Sequence, residues 1–239
     1  MRINKYLALC GVSSRRKAEE FILEGLVKIN NNVVKDLSTN VNEKKDVVMV
    51  SDQIIKPAEK FVYYMLNKPK GYVTSMSDEK NRKSIVDLVA NIDKRVFPVG
   101  RLDYDSEGLL FLTNDGDLTY KLTHPKYKIT KKYIVKIEGA TKESELAVLR
   151  AGVVVDGVRY SPCKAELLSY TDNISRIEII LTEGKNREIR NMFQAIGREV
   201  VFLKRIEMAG IKLGGLMRGE SRPLKQYEID HLLKLVNGK

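Results

Sequence analysis

The sequence predicts an α+β protein in two parts. A small helical unit closed by a hairpin spans residues 1–57, and a larger part over residues 58–239 is built on a mixed, mostly antiparallel sheet flanked by helices. Three observations lead there. Helical apolar spacing opens the chain in two short segments, followed by β-rich pieces around an asparagine turn. The segment SDQIIKPAEK (51–60), with Pro57, then reads as a linker. Beyond it strand candidates outnumber helix candidates, and many sit at hairpin spacing.

Taking the elements in order, Ile3, Tyr6, Leu7 and Cys10 recur at helical spacing, and Gly11 fits a C-terminal cap. Ser13 or Ser14 can cap a second helix, SRRKAEEFILEG, which packs through Ala18, Phe21 and Ile22 and stops at Gly25. LVKI (26–29) and NVV (32–34) flank Asn30-Asn31-Asn32, residues that tolerate left-handed backbone, so a hairpin is expected; DVVMV (46–50) adds a strand. In the second part the strand candidates are 61–66, 97–100, 108–113, 132–139, 153–155, 163–170, 174–182 and 200–208. The helix candidates are 84–91, 117–123, 142–150, 187–197 and 224–236.

Composition narrows the function classes. The 239 residues are 43% hydrophobic and 31% charged, as in folded globular proteins. No apolar run approaches the roughly 18 residues that span a bilayer. The start, MRINKYLALCGVSSRRKAEE, carries charges through any would-be signal core, so a cytoplasmic protein is expected. Cys10 and Cys163 stand apart, outside any metal-ligand spacing, and read as free thiols; with only two histidines, a metal centre is not expected. Lys and Arg outnumber Asp and Glu by 42 to 31, a net charge of +11 that suggests an anionic polymer as partner. Six lysines and no acid fall between Leu118 and Ile137, and a second basic stretch runs from Lys185 to Arg222. With Tyr127 and Tyr133 interleaved, these runs point to RNA. A monomer is the default expectation.

Arg15, Arg16 and Lys17 occupy the first turn of the second helix, where the helix dipole favours acids. A phosphate held between these side chains and the free helix N–H groups would compensate. The stretch NKYLALCGVSSRRKAEEFILEGLVKIN resembles the RNA-binding module of small-subunit ribosomal protein S-four, with the GVSSRR turn and the VKIN strand at the family's offset. Asn31 and Ser38 depart from it, standing where glycine is usual.

Between two apolar strands lies PVGRLDYDSEGLLFLTNDG (98–116), which puts Asp103, Asp105 and Glu107 on or beside one loop. By themselves these acids allow a paired-carboxylate hydrolase site, an incomplete divalent-metal site or an acidic loop without function. GRLDYDSEGLLFLTNDG resembles the central motif of pseudouridine synthases, in the RsuA/RluB branch. LNKPKGYVTS (66–75), KKYIV (131–135) and LTEGKNREIRNMFQAIG (181–197) match the same branch in the same order, so the resemblance covers nearly the whole chain. Ser106 departs from the commoner threonine but keeps the hydroxyl.

The resemblance implies an isomerase that turns a uridine of ribosomal RNA into pseudouridine, large-subunit RNA being favoured over small-subunit RNA. It implies Asp103 as nucleophile, Arg190 as the cation paired with it, and Tyr133 as the ring stacked on the target base. Arg101 is implied beside the aspartate, ordering the loop or holding the flipped nucleotide's phosphate. Lys131 and Lys132, flanking Tyr133, and Lys185, in the turn before the Arg190 helix, are expected to contact RNA. The chemistry involves no redox change or phosphoryl transfer, so no cofactor is expected. A non-catalytic RNA-binding assembly factor is the rival reading; the intact Asp103, Tyr133 and Arg190 argue against it.

Overall fold

The computed structural model describes residues 1–57, 60–76 and 81–238. The chain divides into two compact units: residues 1–62 with 114–116, and residues 63–113 with 117–239. Residues 58 and 59, inside the expected linker, lie outside the described residues.

The first unit opens with helices α1 (Ile3–Leu9) and α2 (Arg15–Leu23) and continues with strands β1 (Val27–Ile29), β2 (Asn32–Val33), β3 (Val48–Val50) and β4 (Gln53–Ile55). Ser14 caps α2, its side chain accepting a hydrogen bond from the Lys17 amide at 3.2 Å. Asn30 and Asn31 take positive φ of 50° and 67°, which closes the β1–β2 hairpin without glycine. Ile3, Tyr6, Leu7, Ala18, Ile22, Val27, Val41 and Val48 form the core. The linker reading needs a correction at its start. Ser51 and Asp52 also adopt positive φ, 48° and 65°, and fold residues 53–55 back as β4 against β3. Ser-Asp is a weaker hairpin signal than Asn-Gly or Asp-Gly, and three residues are too few to show alternation.

The second unit contains β5 (Tyr63–Lys68), β6 (Phe97–Pro98), β7 (Glu107–Thr113), α3 (Gly116–Thr123), β8 (Lys131–Glu138), α4 (Glu143–Ala151), β9 (Val154–Val155), β10 (Val158–Arg159), β11 (Lys164–Thr171) and β12 (Ile174–Leu181). It ends with α5 (Glu188–Ala195), β13 (Val200–Met208), β14 (Ile211–Lys212), β15 (Ser221–Pro223) and α6 (Gln226–Asn237). Seven strands run in the order β11-β12-β8-β13-β7-β5-β15, with β14 added to β13 and β6 to β7. The β13–β7 contact is parallel and the other pairings of this sheet are antiparallel, giving the mixed, mostly antiparallel sheet expected.

The expected helix at 84–91 is instead one 3-10 turn, Ile85–Leu88. Ser84 accepts from the Val86 amide and Asp87 accepts from the Ser84 amide, so both caps close within one turn; β-branched Ile85, Val86 and Val89 favour no extension. Strands β10, β14 and β15, of two or three residues, were not expected, because alternation cannot be read over so few positions. Strand β7 is buried along its whole length, and Leu109 and Phe111 join Met65, Leu118, Leu122, Leu232 and Val236 in one core. That core anchors the loop between β6 and β7 at its exit. Among the described residues no helix is long and apolar enough to cross a membrane.

Candidate active site

The loop before β7 is held by the last residue of β5 and the stretch that follows it. Lys68 is fully buried, and its ammonium donates to the carbonyls of Pro69 (3.1 Å), Asp103 (3.0 Å) and Ser106 (2.9 Å). Thr74 donates its hydroxyl to the Leu102 carbonyl at 2.6 Å and accepts from the Leu102 amide. The Gly71 amide donates to the Tyr104 carbonyl at 2.7 Å. The backbone on both sides of Asp103 is thus fixed by residues some 30 positions earlier. Burial pushes Lys68 down to about 8, against the pull of Asp103, Asp105 and Glu107.

Where β7 begins, Gly108 (φ 110°) lies against β13: a Cβ there would sit 2.2 Å from the Arg205 carbonyl oxygen. Only glycine permits this approach, which sets Arg205 beside Gly108 and, across the other edge of β13, opposite Tyr133. The Arg205 side chain is 2% exposed. Its Nε donates to the Leu109 carbonyl at 2.7 Å, while one terminal nitrogen is buried with no hydrogen bond among the described residues.

Asp103, Tyr133 and Arg205 line one cavity of about 160 Å³, together with Arg101, Lys131, Lys185 and Glu188. Leu102, Leu181, Ile189 and Met208 supply its apolar wall. Lys131 is buried and donates to the carbonyls of Ile129 and Glu183, both at 3.2 Å; burial and Arg205 lower it to about 8. Burial raises the Glu188 carboxyl, which accepts from the Lys185 amide at 2.9 Å. The Lys185 ammonium pairs with Glu183 at 2.9 Å and donates to the Arg159 carbonyl. Arg101 is exposed at the cavity's edge.

The three acids of the loop differ sharply. Among the described residues, no ion pair or hydrogen bond closes on the half-buried Asp103 carboxylate. Asp105 pairs with Arg190 at 3.1 Å and Arg187 at 3.4 Å, and Glu107 pairs with Arg218 at 2.8 Å.

Two sequence expectations change here. Arg190 pairs with Asp105 rather than Asp103, and it also donates to the carbonyls of Asp105 (3.2 Å) and Val200 (2.7 Å). Lys132 does not share the face of Tyr133: strand alternation sends it to the opposite side of the sheet, where it pairs with Glu178 at 3.2 Å. Arg15, Arg16 and Lys17 are exposed in the first turn of α2, with Lys17 engaged by Glu20. Sequence reasoning passed over Lys68 and Arg205. The available signal for Arg205 was a cation in a strand, VVFLKRIEM, whose apolar residues otherwise mark it as buried.

Among the described residues, the arrangement joins an unpaired carboxylate, a partly unbonded buried guanidinium and a buried ring in a small cavity whose lining is part apolar and part charged. Such a site can host attack by the carboxylate on a planar group and stabilise the charge that develops.

Comparisons with known proteins show the family. The family model described as RNA pseudouridylate synthase matches residues 62–195, and that of the S4 domain matches residues 1–48. The chain is 42% identical over 238 residues to ribosomal large subunit pseudouridine synthase B of Bacillus subtilis (strain 168), covering 99% of this chain and 97% of that protein. It is 42% identical over 240 residues to an uncharacterized RNA pseudouridine synthase of Aquifex aeolicus (strain VF5), covering 100% of this chain and 96% of that one. A crystal structure titled as a pseudouridylate synthase superposes with a TM-score of 0.69 at 31% identity, covering 97% of this chain and 99% of the other.

Proposed function

The chain belongs to the RNA pseudouridylate synthase family, and from that premise we propose that it isomerises a uridine of large-subunit ribosomal RNA with Asp103 as nucleophile. The observation that carries the assignment of Asp103 is its carboxylate, the loop's one acid without an ionic partner among the described residues, lining the cavity of Tyr133 and Arg205. The large-subunit target rests on the Bacillus subtilis relative, similar along its full length.

The reaction breaks the bond between the ribose C1′ and uracil N1 and makes one between C1′ and C5. The proton on C5 is lost and one is gained at N1, so atoms and electrons balance without a co-reactant. The target nucleotide leaves its stack, at a cost of a few kcal/mol, and its base enters the cavity. Tyr133 stacks on it, and Asp103 forms the covalent bond that carries the intermediate. Arg205 lines the same cavity and, among the described residues, keeps one buried guanidinium nitrogen without a hydrogen bond; it stabilises the negative charge that develops at this centre. Arg190 acts through the loop: by gripping the carboxylate and carbonyl of Asp105 it fixes the backbone two residues beyond Asp103. Arg101, Lys131 and Lys185 at the cavity, and Arg15 and Arg16 on the N-terminal module, contact RNA phosphates.

Pseudouridine mapping in ribosomal RNA from cells lacking the gene tests this reading. One large-subunit site should vanish, return with the wild-type gene and stay absent with Asp103→Asn. Persistence of every pseudouridine in the deletion strain would refute it.

A further inference from the structure

The sheet face opposite the Asp103 cavity carries a cluster of cations. Alternation along β8 turns Lys131 and Tyr133 into the cavity and Lys132, Ile134 and Lys136 to the other side. Arg176 of β12, Phe202 and Lys204 of β13 and Lys212 of β14 join them along an open groove. The groove's five cations face two acids, Glu178 and Glu207. Lys132 pairs with Glu178 at 3.2 Å; among the described residues the other four close no ion pair. Lys136 lies 5.3 Å from the centre of the Phe202 ring.

The register makes the arrangement costly on its own. Arg176 is the direct cross-strand partner of Lys136, and like charges placed opposite each other destabilise a sheet. Lysine stems lying over apolar surface account for the burial of Ile134, but not for two cations set face to face. From Lys132 to Lys136 is roughly 13 Å along the strand, and three strands span about 10 Å across. That area suits a run of phosphates and is far wider than a single small anion.

We propose that this face docks the phosphate backbone of a second segment of the same RNA whose target uridine occupies the Asp103 cavity. The inference rests on RNA being the substrate, and it holds for either ribosomal subunit. A bound backbone relieves the Arg176–Lys136 repulsion, and Phe202 offers a ring at the floor of the groove.

The test is direct binding of the full-length protein to deproteinised total ribosomal RNA over a series of salt concentrations. Wild type is compared with Lys136→Gln/Arg176→Gln/Lys204→Gln. The triple variant should bind roughly ten-fold more weakly at physiological salt, with a log–log salt slope reduced by about two to three. Its melting temperature without RNA should equal or exceed that of wild type, because the repulsion is gone. Arg176→Gln alone should reduce the slope by about one, and Lys136→Arg/Lys204→Arg should keep wild-type affinity and slope. Unchanged affinity and slope in the triple variant would overturn the proposal, and a face meant for a protein partner would give that result. Binding is read without turnover, so a wrong assignment of target or nucleophile leaves this readout intact.

Discussion

Asp103 and Asp105 stand two residues apart on one loop, and the fold treats them in opposite ways. Asp105 is held by Arg190 and Arg187, and its backbone carbonyl is also bonded to Arg190. Asp103 has its carbonyl anchored by Lys68, while its carboxylate is left without a hydrogen bond or ion pair among the described residues. The difference separates two uses of the same side chain. One carboxylate spends its charge on holding the loop; the other is left open, as the nucleophile proposed for this site would have to be. Glu107, paired with Arg218 at the start of β7, belongs with Asp105. Proximity in sequence therefore says little about which acid the fold leaves unpaired.

Substitutions can break or sharpen this contrast. The largest effect is expected from Asp103→Asn: single-turnover pseudouridine formation should fall by about 10⁴-fold or more while the denaturation midpoint stays near wild type. Loss of both together would mean that Asp103 is structural, like its neighbour. Arg205→Met should lower the single-turnover rate by roughly 10²- to 10³-fold, because the buried cation facing the reacting centre is gone. If RNA affinity falls instead and the rate at saturation holds, Arg205 is only a phosphate contact.

Arg190→Met removes the grip on Asp105 and should cost stability of about 2–3 kcal/mol by chemical denaturation, with a rate loss of roughly ten-fold. A rate loss as deep as that of Asp103→Asn, at unchanged stability, would restore the expectation that Arg190 serves Asp103 directly. The smallest effect concerns pH. Burial and Arg205 depress Lys131 from 10.5 to about 8, so its cost to the fold is fully present below about pH 8 and relieved as pH rises towards 10.5. The stability advantage of Lys131→Met over wild type should therefore shrink between pH 8 and 10, by up to about 1.4 kcal/mol per pH unit. A gap independent of pH would show that Lys131 is not depressed.

The sequence by itself determined much of the local structure and pointed to the loop of the proposed nucleophile. Helix spacing, the Ser14 cap and the asparagine turn specify the first helices and the first hairpin of the N-terminal unit, since each acts within a few residues. The GRLD stretch between two apolar strands marked Asp103 through its resemblance to a family, and that stretch is where the cavity lies. What the sequence left open were relations across long separations. Arg205 reaches the Leu109 carbonyl 96 residues away, and Lys68 reaches Asp103 across 35. No local pattern encodes such pairs, because they depend on which strands become neighbours.

Register was equally hidden. A one-residue slip in β8 would exchange the faces of Tyr133 and Lys132, so the lysine's place on the far side of the sheet could not be settled from KKYIV alone. Arg190 shows the same limit on a helix: the motif supplies a cation near the loop, and only the packing of α5 against β13 and the loop decides which of two aspartates it meets. The candidate site was legible where it sits in one segment of chain. Tertiary structure decided it where charges from separate strands had to be brought together out of water, because partner choice there is set by strand order and register rather than by neighbouring residues.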